Sequence, residues 1–210
     1  MSKFFVKRNI FSEKLGFTLV ETIVSLALFT ILMLAVMQSV GVMYGYNAYT
    51  LSQAYQVQNA RLGMQSLIRD IREMTYADDG TFPIAIMDTD KIGFYSDIDR
   101  DNSVEHVEYE LISSSTLKKM VFNATGSPPT YDTSTPDETF TLSEYVQNIN
   151  YGTSTFKYFD DEGIELFSAS NLTDVRYIVV QIIVNIDPIR DPGEFMLRSS
   201  AALRNIKENI

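Results

Sequence analysis

The chain has 210 residues, 45 % of them apolar and 12 % aromatic, which excludes a wholly disordered protein and suits one domain with attachments. It contains no cysteine, so a disulfide scaffold and a thiolate site are both excluded. The net charge is −10, unevenly divided: Lys3, Lys7, Arg8 and Lys14 against Glu13 give the first sixteen residues +3, leaving −13 after Gly16. An acidic body of this kind repels nucleic-acid phosphates, so no direct nucleic-acid partner is expected.

From Phe17 to Met37 the chain is apolar over about 32 Å of helix, the thickness of a bilayer's hydrocarbon core. The basic flank precedes the span, which leaves the short N-terminus in the cytoplasm and the body outside. Glu21 is the single charge in this run, and none follows until Arg61. A carboxylate at such a depth costs a few kcal/mol, which calls for a partner. No small-residue cleavage site of the signal-peptide kind follows Met37. The punctuation lies on the other side of the apolar run: Gly16, then Phe17, then Glu21.

Beyond the span, residues 38–59 are polar but uncharged. Val57, Ala60, Met64, Leu67, Ile71 and Met74 then recur at spacings of three and four, one apolar helical stripe, with Arg61, Gln65, Arg69, Arg72 and Glu73 on the other side. No proline interrupts Phe17 to Tyr76, and "ADDG" (Ala77 to Gly80) is a stop signal. One helix of about sixty residues is expected, an apolar half over 17–40 and an amphipathic half over 41–78.

After residue 79 the period changes. "KIGFYSDI" and "VEHVEYELI" predict two strands, the second alternating Val107, Tyr109 and Leu111 with His106, Glu108 and Glu110. The alternation puts His106 on the polar side, and an exposed histidine is expected. "TLKKMVF" predicts a third strand, and Gly126 to Glu138 a Pro/Ser/Thr-rich surface loop. A strand ending at the turn Asp161–Gly163 follows. "VRYIVVQIIVNI" reads as the central strand, with Ile178, Val180, Ile182, Val184 and Ile186 on one face. Phe195, Leu197, Ala201 and Leu203 alternate in a closing strand. The expected fold is α+β, a long N-terminal helix packed on an antiparallel β-sheet head over 79–210, in the form of a lollipop.

The loop "DIDRDNSVEHVE" is the candidate metal site. Asp97, Asp99, Asp101, Ser103, Glu105 and Glu108 follow the oxygen-ligand spacing of a calcium loop, and Asn102 takes the place usually held by glycine. The flanks alternate like strands, so the reading is a calcium-binding β-turn against a plain solvated hairpin. In a β context Glu105 and Glu108 are aimed differently from the ligands of such a loop. No nucleophilic triad, serine elbow or phosphate-cradling glycine loop is present, and the chain is read as no enzyme.

"KLGFTLVETIVSLALF" resembles the processing site of type IV pilins and type II secretion pseudopilins. The resemblance implies that a prepilin peptidase cuts after Gly16 and that Phe17, as the new N-terminus, is methylated on its amine. It also implies that Glu21 is the assembly acid, which neutralises the Phe17 ammonium of a neighbouring subunit. The order of helix and strands is similar to that of J-type minor pseudopilins, and calcium occurs in the heads of some members. The implied function is a minor pseudopilin of a type II secretion-like envelope filament. Its partners are other pilin subunits, the prepilin peptidase, membrane lipid, and an inner-membrane assembly platform with its ATPase. It would be single-pass in the inner membrane, its head on the periplasmic or extracellular side. The alternative is a minor pilin of a type IV pilus or a DNA-uptake pseudopilus. A signal-anchored enzyme is the reading from another class, and no catalytic cluster supports it.

Overall fold

The computed structural model describes residues 16–167, 169–190 and 193–203. The basic leader expected over residues 1–16 therefore lies, apart from Gly16, outside the described residues. The chain divides into two compact units, Met1–Ala48 and Tyr49–Ile210. A 54-residue helix, α1 (Leu19–Arg72), contributes to both.

In the first unit, α1 begins with Thr18 and Glu21 satisfying each other's ends. The Glu21 amide donates to Thr18 Oγ1 at 3.3 Å, and the Thr18 amide donates to Glu21 Oε2 at 3.5 Å. This reciprocal arrangement is a capping box, and its T-x-x-E spacing was present in the sequence. Every described residue of this unit is exposed, including Leu19, Leu26, Phe29 and Leu32. Thr22, Thr30 and Ser39 donate their hydroxyls to the carbonyls of Leu19, Leu26 and Ala35, so no side-chain hydroxyl of these three needs water.

In the second unit, α1 turns from exposed to half-buried. Tyr49, Gln53, Ala60, Gly63, Met64, Leu67, Ile68, Asp70 and Ile71 are its buried positions. They pack on two antiparallel sheets. The first has the order β1-β2-β3-β4-β7, built from β1 (Ile84–Met87), β2 (Lys91–Ser96), β3 (Glu105–Ile112), β4 (Thr116–Phe122) and β7 (Glu138–Ser143). Between β4 and β7 lies a small ribbon of β5 (Ala124–Thr125) and β6 (Thr130–Tyr131). The second sheet has the order β11-β10-β8-β9, from β8 (Phe156–Phe159), β9 (Glu165–Leu166), β10 (Tyr177–Val184) and β11 (Phe195–Ala202). The apolar strand expected at the centre, β10, is flanked by β11 and β8.

The core joins Leu67, Ile71 and Met74 of the helical stripe to Phe94, Val107 and Tyr109 of the first sheet and to Ile178, Val180 and Ile182 of the second. Each fully buried aliphatic side chain here is worth about 1.5–3 kcal/mol of transfer free energy. Gly63 allows the closest approach: a Cβ there would stand 2.9 Å from Leu142 Cβ. The helix ends at Arg72 and not at Tyr76. The reason is competition for backbone groups, because the Thr75 amide donates to the Tyr95 carbonyl of β2 at 2.9 Å.

One expectation is corrected by this packing. His106 is buried, not exposed, with 3 % of its surface accessible. The segment read as a surface loop supplies the cover: Tyr131 of β6 packs beside Tyr95, ring centroids 5.0 Å apart, and 6.5 Å from His106. Tyr131 is tied down by donating to the Val104 carbonyl at 2.8 Å and accepting from the Asp78 amide at 3.2 Å. An aromatic lid converts the polar face of β3 into a second, smaller interior.

Candidate functional site

The processing and assembly residues stand at the start of the first unit. Gly16 and Phe17 are exposed and precede the helix, so the backbone between them is in no hydrogen-bonded element. Glu21 is one turn further on, within the positive end of the helix dipole, and none of the described cations pairs with it. Its one oxygen holds the Thr18 amide and the other is free of protein donors among the hydrogen bonds above.

The acidic loop folds on its own carboxylates. Asp97 accepts the Arg100 amide at 2.7 Å, Asp99 the Asp101 amide at 3.1 Å, and Asp101 the Ser103 amide at 2.7 Å. Arg100 and Asn102 take positive φ of 64° and 72°, so Asn102 does adopt the left-handed backbone of a loop glycine. The loop brings one ligand atom each from Asp97, Asp99 and Glu105 within 4.8 Å of one another. Glu105 is buried, and its Oε2 accepts the Ile98 amide at 2.9 Å. Burial raises its pKa, the nearby Asp99, Asp101 and Asp97 raise it further, and the Ile98 hydrogen bond opposes them.

The six candidate ligands do not all converge. Asp101 is exposed, and Ser103 Oγ turns instead to Asp78 Oδ2 at 3.5 Å. Glu108 lies three residues along β3 from Glu105, and the pleat sends it to the opposite face. There it meets Lys91 Nζ at 2.8 Å and His106 Nε2 at 3.1 Å. Burial pushes the Glu108 carboxyl up, but the His106 and Lys91 hydrogen bonds together outweigh it and hold the pKa below its ordinary value. Facing Glu105 in register is Ser96, whose buried Oγ has no hydrogen-bond partner among the described residues. The three converging carboxylates of Asp97, Asp99 and Glu105 form an all-oxygen donor set, which fits a hard cation.

A third group escaped the sequence reading. Asp70, 1 % exposed, accepts from Tyr109 Oη and Lys119 Nζ on one oxygen, both at 2.6 Å, and from Arg69 on the other at 3.3 Å. Burial and the Asp70 charge hold the Tyr109 pKa well above its usual range. Asp70 falls three residues after Leu67 and four before Met74, so the helical spacing did place it on the buried stripe. Only its charge argued otherwise.

Residues 12–37 match the family model described as the prokaryotic N-terminal methylation motif. The matched stretch contains Gly16, Phe17 and Glu21. No curated protein and no solved structure matches the chain. The α1 segment carrying the motif is long and apolar enough to cross a membrane. The chain thus carries the prokaryotic N-terminal methylation motif on an apolar helix whose later half packs on antiparallel sheets, a pilin-like α+β fold.

Proposed function

We propose that the chain is a minor pseudopilin of a type II secretion-like envelope filament, cut between Gly16 and Phe17 and polymerised through its N-terminal helix. The observation that carries this reading is the methylation motif over residues 12–37. Cutting creates an ammonium group on Phe17, and burial of that charge among apolar helices requires an anion. Glu21 of a neighbouring subunit supplies it, so a subunit is in register when its own N-terminus meets that carboxylate. The free Glu21 oxygen and the absence of a basic partner among the described residues support this use of the side chain. The head stands on the far side of the inner membrane from the basic leader. Force comes from an assembly platform and its ATPase, since the chain offers a polymerising helix and a surface. A head larger than a bare pilin's supports a minor subunit, and Glu21 argues against a tip subunit that lacks this acid.

The test is the intact mass and N-terminal sequence of the protein extracted from its native membrane. The expected product begins at methylated Phe17. A chain still beginning at Met1, in cells with active prepilin peptidase, overturns the reading. Calcium belongs to the same proposal: Asp97, Asp99 and Glu105 would hold the ion, which would screen three carboxylates that otherwise repel one another. Isothermal titration of the metal-free protein with calcium chloride, against Asp99→Asn, tests it. Equal heats for the two proteins would remove calcium from the account.

A further inference from the structure

The second unit is strongly acidic, with 13 Lys and Arg against 25 Asp and Glu over residues 49–210. Against that background four arginines line one groove. Arg61, Arg69 and Arg72 of α1 and Arg198 of β11 border a cleft of about 500 Å³ between the helix and the outer strand of the second sheet, with Glu73 the one acid on its walls. Glu73 is already within 3.7 Å of Arg100, and Arg69 is held by Asp70. Among the described residues, Arg61, Arg72 and Arg198 have no carboxylate partner. Solvated arginines are common, but three without a carboxylate partner among the described residues, in one groove of a chain this acidic, form a local positive field that Glu73 alone opposes on its walls.

The groove runs beside an unfinished sheet. β11 is an outer strand eight residues long. The Leu203 amide donates to the Arg176 carbonyl at 2.9 Å, in register with the Tyr177–Ala202 pairing, so the odd-numbered residues of β11 bond inward to β10. The even-numbered Met196, Arg198 and Ser200 then present amide and carbonyl outward. The Ser200 carbonyl accepts from Arg72 Nη2 at 3.4 Å, as that alternation requires. Among the described residues, Met196 and Arg198 keep an open ladder. Phe195 and Met196, 42 % and 54 % exposed, add apolar surface along the same strand.

We infer that this edge receives an extended acidic segment of a neighbouring protein subunit, added as a further strand outside β11. Its backbone pairs with Met196 and Arg198, and carboxylates at alternate positions on the side toward α1 meet Arg61 and Arg72. Arginine's planar fork suits carboxylates, and strand addition supplies affinity through the main chain while alternate side chains set specificity. A nucleic-acid strand carries the right sign, but it would run from the groove onto an otherwise negative surface. The inference rests on the filament reading only in supposing a neighbour, and peptide binding can fail while cleavage after Gly16 succeeds.

The experiment titrates full-length protein in detergent micelles with the labelled peptide acetyl-(Glu-Val)4-amide, following fluorescence anisotropy. Binding is expected at least tenfold tighter than that of the (Lys-Val)4 peptide or of a (Glu-Pro)4 peptide, which has the charge but cannot join a ladder. The double variant Arg61→Gln, Arg72→Gln is expected to weaken binding about tenfold. Met196→Pro removes an outward amide while leaving the β10 bonds, and is expected to weaken it comparably. Should that variant misfold by circular dichroism, the (Glu-Pro)4 comparison carries the same distinction in the unaltered protein. No binding, or equal binding of (Glu-Pro)4, overturns strand addition. Equal binding of an eight-residue oligothymidine makes the groove a general polyanion site and overturns the occupant. Self-association of the chain that (Glu-Val)4 competes away assigns the edge to a second copy and overturns it likewise.

Discussion

The two halves of α1 are built on opposite contracts with their surroundings. Over residues 19–48 every position is exposed. Over residues 49–72 the same helix alternates buried and exposed faces, and the buried face meets two sheets. Both segments are helical, so helicity does not distinguish them. What does is where the hydrophobic surface is satisfied: by the chain itself in the second unit and, on the proposed reading, by lipid or neighbouring helices in the first. Polar groups follow suit. Hydroxyls in the first unit fold back onto their own helix, whereas Gln53 reaches out of it, donating to the Val184 carbonyl at 3.2 Å and accepting from the Ile186 amide at 3.0 Å.

The comparison can be broken most directly at Asp70. Replacing it by alanine leaves Lys119 and Tyr109 buried without their acceptor, and is expected to cost about 3–5 kcal/mol in urea unfolding of the full chain in detergent. A loss below about 1 kcal/mol would mean that Lys119 escapes to solvent and that the pair is incidental. A paired test sharpens the contrast. Leu67→Ala is expected to cost about 2–5 kcal/mol. Leu32→Ala, the same chemistry on the exposed segment, should leave that unfolding transition in place. Equal losses would show that the first unit is stabilised by the second after all.

A smaller effect is expected at the capping box. Thr18→Ala should lose about 0.5–2 kcal/mol of local helix stability. It would be read as faster hydrogen exchange of the first-turn amides, with the head's unfolding unchanged. The mildest expectation concerns pH. The Glu108 pKa is lowered in the folded state, so its contribution is complete above the ordinary carboxylate value of 4.5 and is lost as pH falls through the lower folded value. Glu108→Gln should therefore flatten the acid limb of the stability profile and, because Glu108 also raises the Lys91 pKa, change the alkaline limb less strongly. An unchanged acid limb would show that Lys91 and His106 do not favour the charged form.

The acidic loop and the β3 strand show how far reading residues in order can go. Asn102 in left-handed backbone was legible, because few residues other than glycine tolerate it. The parity of Glu105 and Glu108 was legible too, yet the loop spacing had joined them in one ligand set, and the pleat separated them. The burial of His106 was not legible. It depends on Tyr131, twenty-five residues away, and on a ribbon too short to show any periodicity.

By itself the sequence determined the features that depend on neighbours along the chain. These are the apolar span, the glycine–phenylalanine–glutamate punctuation of the matched motif, the helical stripe and the alternation of β3, β10 and β11, all of which local geometry imposes every two or every three to four residues. Tertiary structure decided what depends on residues far apart. It chose which carboxylates converge, how deep Asp70 and His106 lie, where α1 yields its backbone to β2, and that three arginines from α1 and one from β11 share a groove. Those outcomes are set by desolvation and by the pairing of distant strands, and no periodicity in the sequence encodes either.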